Sequence, residues 1–212
     1  MATTYIPTGM AGLLSRACKG RPREFDVDEA LASALRVFWR KGYDGTSLTD
    51  LTEAMGITRP SLYAAFGNKE ALFRKALDLY EREKLAYIGE ALAEPTSRGV
   101  AERLLRGALE MQTSECEPRG CMRVISSISC GAEAESVKAD LTERRASSQK
   151  ALIERMERAK AEGDLPPNTD VQGITNYLLA ILQGMSVQAG SGATKAELEQ
   201  LVRTSVAVWP GK

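Results

Sequence analysis

Residues 42–73 read GYDGTSLTDLTEAMGITRPSLYAAFGNKEALF, and the fold turns on this stretch. Leu48, Leu51 and Met55, then Leu62 and Phe66, recur at three- and four-residue spacing, as one face of a helix does. Gly56 lies between the two sets and accepts a turn conformation that a side chain opposes. Thr58 is a good N-cap for the second helix. Pro60 sits in its first turn, where a missing N–H costs little. Thr46 is expected to cap the first helix, Ser47 to Met55. Ile57, Leu51 and Leu62 would wedge the pair at a fixed angle. A short helix, a glycine turn and a second short helix have the size of a helix-turn-helix. The competing reading is a helical hairpin with a glycine turn.

Outward from this core, Asp26 to Lys41 form an upstream helix. Asp26 and Glu29 have capping-box spacing, and Val27, Leu31, Ala34, Leu35 and Phe38 make a buried stripe. Gly42 ends that helix, and Tyr43 packs back on it. Downstream, Gly67 stops the third helix and Asn68 caps a fourth, expected to continue to about Leu92. Pro95 and Gly99 mark the next connection. Later helices are expected near Val100–Ser114, Cys121–Gly131, Glu133–Glu162, Asp170–Ala189 and Lys195–Val208, with breaks at 117–120 and 165–168. Strand-like alternation is missing. The chain therefore reads as all-α. A flexible tail (1–20) precedes a three-helix helix-turn-helix domain (21–70), and a helical regulatory and dimerisation domain follows (71–212).

Composition narrows the chemistry. The 212 residues carry 28 basic and 28 acidic side chains and no histidine. Without histidine, Ser-His-Asp and Cys-His nucleophiles and the HExxH zinc motif are impossible. The carboxylates are scattered and no phosphate loop is present, so the chain does not read as an enzyme, and no cofactor or metal is expected. Zero net charge is not that of a bulk nucleic-acid binder, yet a local patch suffices for binding. Thr58 to Lys69 holds Arg59 and Lys69 and no acid. Cys18, Cys116, Cys121 and Cys130 do not form a secreted disulfide pattern and fit a reducing cytoplasm. No apolar run nears the roughly 18 residues of a membrane span, so no membrane partner is expected.

The third helix would enter a major groove about 12 Å wide by its N-terminal half. Thr58, Arg59, Ser61 and Tyr63 present polar groups there. Arg59 suits either guanine or a phosphate, and Ser61 either more weakly. Tyr63 and Lys69 suit phosphates, as do the first-turn amides after Thr46. Upstream, Gly20-Arg21-Pro22-Arg23 reads either as a basic arm onto DNA or as a solvated tail.

The order Gly42-Tyr43, Thr46-Ser47, Gly56-Ile57-Thr58, Leu62-Tyr63-x-x-Phe66 and Asn68-Lys69-Glu70-x-Leu72-Phe73 resembles the TetR family of regulators, over about residues 25 to 75. The resemblance implies an all-helical homodimer that binds a double-stranded DNA operator, usually a repressor released by a small-molecule effector. It carries DNA contacts onto Thr46, Arg59, Ser61, Tyr63 and Lys69. Thr52 stands where the family often has Ala, which bears on helix packing, and Pro60 replaces the more common Gly or Lys and removes a side chain that could bond to DNA, so base preference does not carry over. A helical carrier or interaction module that has lost DNA binding is the alternative, and intact Arg59, Tyr63 and Lys69 argue against it.

In the second domain, Val171, Ile174, Leu178, Ile181 and Met185 keep helical spacing, as do Leu198, Leu201, Val202, Ser205 and Val208. The resemblance implies a four-helix dimer interface built from these two helices, and monomer core is the other reading. Met111, Met122, Ile125, Ile128, Tyr177 and Leu178 are candidate linings of an effector pocket, although methionine fills cores as readily. Cys116, Cys121 and Cys130 read as small buried hydrophobes or as a thiol sensor. Cys121 is the candidate sensor, near a helix N-terminus and beside Arg119 and Arg123. Three cysteines make a poor zinc set. Glu154 and Arg158 are spaced as an i,i+4 pair on a charged helix whose inward edge is Leu141, Leu152 and Met156.

Overall fold

A computed structural model describes residues 25–129 and 134–211. The described residues form helices and no strands. Expectations on Cys18, Cys130 and the 20–23 arm fall outside them.

The N-terminal unit is α1 (Val27–Lys41), α2 (Leu48–Met55) and α3 (Arg59–Phe66). Asp26 caps α1 by accepting from the amides of Asp28 and Glu29. Ser47, not Thr46, caps α2, and with Asp50 it closes a full capping box. Thr46 is pulled inward instead, because its hydroxyl donates to the Gly42 carbonyl at 2.6 Å. Gly56 ends α2 in the left-handed region, at φ 64°. The amides of Gly56 and Ile57 then reach the carbonyls of Glu53 and Thr52, which satisfies the last turn of α2 and sets the angle to α3.

The fourth helix does not run unbroken to Leu92. It divides into α4 (Lys69–Lys84) and α5 (Ala86–Leu92) at Leu85. No glycine or proline announces the break. It falls where the apolar cluster of α1–α4 gives way to a second cluster, and Tyr87 and Ile88 pack against both. The first cluster does not stop at residue 70. It takes in α4 and also Met122, Ala134, Val137 and Leu141.

The remaining elements are α6 (Ser97–Gln112), α7 (Met122–Ser129), α8 (Glu135–Ala161), α9 (Val171–Gly190) and α10 (Lys195–Ala207). Gly99 lies inside α6, whose cap is Thr96. On α8 the inward edge is Leu141, Leu152 and Met156, all buried. Arg158 pairs with Glu162 rather than Glu154, which faces Lys150. Burying about 25 cal/mol per Å² of apolar surface drives both clusters.

The two stripes assigned to dimerisation split by depth. Leu178, Met185 and Leu198 are fully buried within this chain, so they belong to its own interior and cannot meet a partner. Ile174, Ile181 and Leu201 are half-buried. The exposed large apolar residues of this region are Tyr177 and Val187 of α9 and Val208 just after α10.

Candidate nucleic-acid interface and effector cavity

The reading helix is built from its ends inward. The Thr58 side chain accepts from the Ser61 amide and lies 3.0 Å from the Ser61 hydroxyl. Leu62 and Phe66 anchor the inner face, at 0% and 4% exposure. Turning those two inward leaves Thr58, Arg59, Pro60, Tyr63 and Ala64 exposed. Tyr63 is a large side chain left out in solvent, at 48% exposure. The Arg59 guanidinium rests on the Thr49 hydroxyl of α2 at 2.9 Å. That bond lies on the surface, so Arg59 can leave it for a base or phosphate. Ser61 is half-buried, and its hydroxyl is shared with the cap. The Lys69 ammonium stands 4.3 Å over the Tyr43 ring, which itself packs edge-on to Phe73. A cation so placed is steered by the ring. Thr46, at 1% exposure, has its hydroxyl committed internally, and the exposed groups at that end of α2 are Ser47 and Thr49. Thr49 was missed in sequence because its role depends on α2 and α3 lying side by side.

Asp50 fixes this end of the unit. The Lys41 ammonium and the Ser47 amide both donate to it, and they hold its carboxyl down at about 2, against the usual 3.8.

The unit is tied to the second domain by the segment 113–121. The buried Trp39 indole donates to the Gly120 carbonyl at 2.9 Å. Glu117 pairs with Lys84 at 2.8 Å and with Arg36 at 3.5 Å. On the other side the Cys121 amide donates to the Ser186 hydroxyl at 2.7 Å, and Arg119 to the Ala193 carbonyl at 2.6 Å. Gly120 has φ 83°, and a Cβ there would sit 3.0 Å from the Ser186 carbonyl oxygen. Only glycine lets the segment approach α9 this closely. The Trp39–Gly120 contact was not legible in the sequence, since the two residues are 81 positions apart.

Beside this segment lies a cavity of about 330 Å³, lined by residues of α5 to α9 and their ends. Small-molecule pockets span about 300–1,000 Å³, so it is at the compact end. Val124, Leu141, Leu179 and Leu182 give it apolar walls, and Gln112, Cys121, Arg123 and Arg145 give it polar ones. Of the expected linings, Met111, Met122, Tyr177 and Leu178 do not line it. Met122 and Leu178 are core, Tyr177 faces outward, and Met111 packs against the first cluster. Ile125 lines a more open cleft of about 680 Å³ beside Trp39, Cys116 and Glu117. The side chain of Ile128 lies outside the described residues. Arginine lining was not predicted because helical periodicity marks apolar stripes and says nothing about which cations face a void.

Cys121 directly precedes α7 and is partly exposed. The Tyr80 hydroxyl donates to its sulfur at 3.3 Å and reaches the Met111 sulfur at 3.6 Å. Burial, then the Cys121 thiol, raises the Tyr80 phenol well above its usual range, so Tyr80 stays a donor. Arg119 and Arg123 are turned to other partners. Among the described residues no cluster could hold a metal ion, and no helix is long and apolar enough to cross a membrane.

A side-chain-capped eight-residue helix, presented beyond a glycine turn and joined to a helical body with its own cavity, defines a helix-turn-helix transcriptional regulator. Residues 30–76 match the family described as "Bacterial regulatory proteins, tetR family", and residues 101–207 match "Tetracyclin repressor-like, C-terminal domain". The HTH-type transcriptional repressor ComR of Escherichia coli (strain K12) is 35% identical over 195 residues, which is 91% of this chain and 92% of that protein. The HTH-type transcriptional repressor BdcR of the same organism is 28% identical and covers 88% of each chain. Among solved structures, a cysteine mutant of the TetR family transcriptional regulator CifR, complexed with 26bp double-strand operator DNA, is 41% identical with a TM-score of 0.84. That likeness covers 90% of this chain and 100% of that one. The chain belongs to the tetR family of bacterial regulatory proteins.

Proposed function

We infer that this regulator is a homodimeric repressor in the cytoplasm. It binds a double-stranded operator through α3 and lets go when a small molecule enters the cavity. The observation that carries the reading is the polar, exposed face of α3, with Arg59 and Tyr63 outward and Leu62 and Phe66 holding the helix from behind. The operator complex of the CifR mutant supports it. Arg59 and Ser61 read base edges, while Thr58, Tyr63, Lys69 and the amides after Thr46 hold phosphates. Thr46 serves through its backbone, its side chain being buried. The chain acts by binding and not by turnover.

A two-fold dimer places two copies of α3 on half-sites about 34–36 Å apart, or a multiple of that. The half-buried Ile174, Ile181 and Leu201, with exposed Tyr177, Val187 and Val208, supply the apolar face for that pairing. Selection of bound duplexes from random sequence tests the reading, and recovery of no two-fold site would sink it. Arg59→Ala should weaken binding to the selected site by about 1–3 kcal/mol if Arg59 reads a base, with folding stability unchanged. An equal loss on every duplex would make it a phosphate contact.

The placement of Cys121 on the cavity wall favours a second route of release, alkylation of its thiolate by an electrophile. Release by iodoacetamide that persists in Cys121→Ser would remove this residue from the mechanism.

A further inference from the structure

The arginines around the cavity are held in two different ways. Arg144, on α8, meets Asp78, Glu81 and Asp140 at 2.8, 2.7 and 2.9 Å, a fully met guanidinium that clasps α4 to α8. Arg123, on α7, is more buried, with 16% of its side chain exposed. Yet its nearest partners are the Ser148 hydroxyl at 3.3 Å and Glu81 at 3.5 Å. Charge-assisted N–H···O bonds usually lie near 2.7–2.9 Å, so this cation is under-satisfied. Arg145 also lines the cavity and makes no ion pair among the described residues. Ser148, which accepts from Arg123, also lines the cavity and is three residues beyond Arg145 on α8, so the two arginines share one part of its wall. Among the described residues no carboxylate lines the cavity. Gln112 is 3% exposed, also lines it, and its Oε1 has no hydrogen-bond partner among the described residues.

We propose that the cavity takes an amphipathic organic anion, a carboxylate on a short aliphatic or aryl body. This deepens the effector reading above and rests on it. The carboxylate lies between Arg123 and Arg145, and the body lies against Val124, Leu141 and Leu182. A hydroxyl on the body would satisfy Gln112. The anion displaces Glu81 from Arg123. Glu81 belongs to α4, the helix that opens with Lys69, so occupancy is felt at the DNA-reading unit.

The test is calorimetric titration of the intact protein, without DNA, with hexanoate, octanoate and phenylacetate against hexan-1-ol and hexylamine. The carboxylates should bind at least about tenfold more tightly than the alcohol, and the amine weakest. Arg145→Gln should remove about tenfold from carboxylate binding and leave the alcohol unchanged, with Arg145→Lys close to wild type. Glu81→Gln should tighten carboxylate binding severalfold by removing the competing acid. Arg145 is exposed, so its variants should fold, and an unchanged unfolding midpoint verifies this. Equal binding of acid and alcohol, no carboxylate binding at all, or an indifferent Arg145→Gln would each overturn the proposal. Carboxylates that bind as stated but do not release a selected duplex would leave this site assignment standing and sink the effector reading instead.

Discussion

The DNA-reading unit and the regulatory body differ in how their buried polar atoms are settled. From Phe25 to Tyr80, no buried side-chain oxygen or nitrogen lacks a hydrogen-bond partner among the described residues. Each of α1 to α4 is capped by a side chain. Beyond Tyr80, atoms of Glu81, Gln112, Ser126, Asp140, Arg155 and Thr175 are buried without one. Glu81 and Asp140 still have ion-pair partners at longer range. Arg155 donates to the Glu94 carbonyl through one nitrogen and leaves two unmatched, and its burial lowers its pKa. A buried polar group without a partner costs about 1–3 kcal/mol. A reading head must keep one geometry and is built without such tension. In the body, Gln112 is the one of these residues that lines the cavity, where a ligand can satisfy it.

The contrast can be tested from its strongest point downward. Leu62→Ala empties the space behind α3 at a fully buried position and should cost about 2–5 kcal/mol in urea unfolding, with DNA affinity falling alongside. A small loss there would mean that the unit is looser than its packing indicates. Trp39→Phe keeps most of the apolar bulk but strands the Gly120 carbonyl. It should cost about 1–3 kcal/mol and also weaken the response of DNA binding to any effector. If stability falls and the response is intact, the tryptophan is mortar and not a coupling element.

Asp50 gives a smaller effect, with a sign set by its environment. Its carboxyl titrates near 2 when folded and at about its usual 3.8 when unfolded, so its contribution is complete above 3.8 and is lost as pH falls through 2. Asp50→Asn should therefore flatten the acid limb of the stability curve between pH 4 and 2. An unchanged limb would place acid sensitivity elsewhere. The smallest change is expected at Gln112. Gln112→Met removes a buried Oε1 that has no partner among the described residues, keeps a chain of similar length, and should leave stability unchanged or slightly raised. A loss above about 1 kcal/mol would show that the amide has a partner, and the contrast between the two regions would weaken.

Much of the reading head was legible in the chain because its determinants are local. Caps at Asp26, Thr58 and Asn68, the turn at Gly56 and the apolar spacing of Leu51, Leu62 and Phe66 act over three to five residues, and each appears where expected. The error over Thr46 and Ser47 is itself local. Both are good caps, and the choice fell to Ser47 because Asp50 answers it while Gly42 claims the Thr46 hydroxyl.

The second domain was legible as helices but not as a site. Leu178, Met185 and Leu198 sit on stripes that period alone cannot assign to a partner or to the interior, and the packing of α6, α8, α9 and α10 takes them inward. The break at Leu85 has no local breaker and follows the boundary between two apolar clusters.

In the reading unit the positions of α1 to α3, the caps at Asp26, Thr58 and Asn68, the glycine turn and the polar face of α3 follow from sequence alone, since each depends on neighbours a few residues away. The Trp39–Gly120 bond, the depth of each stripe and the two arginines at one cavity joined residues far apart in the chain. Only the packed tertiary structure decided them, because burial and charge pairing depend on what arrives from elsewhere.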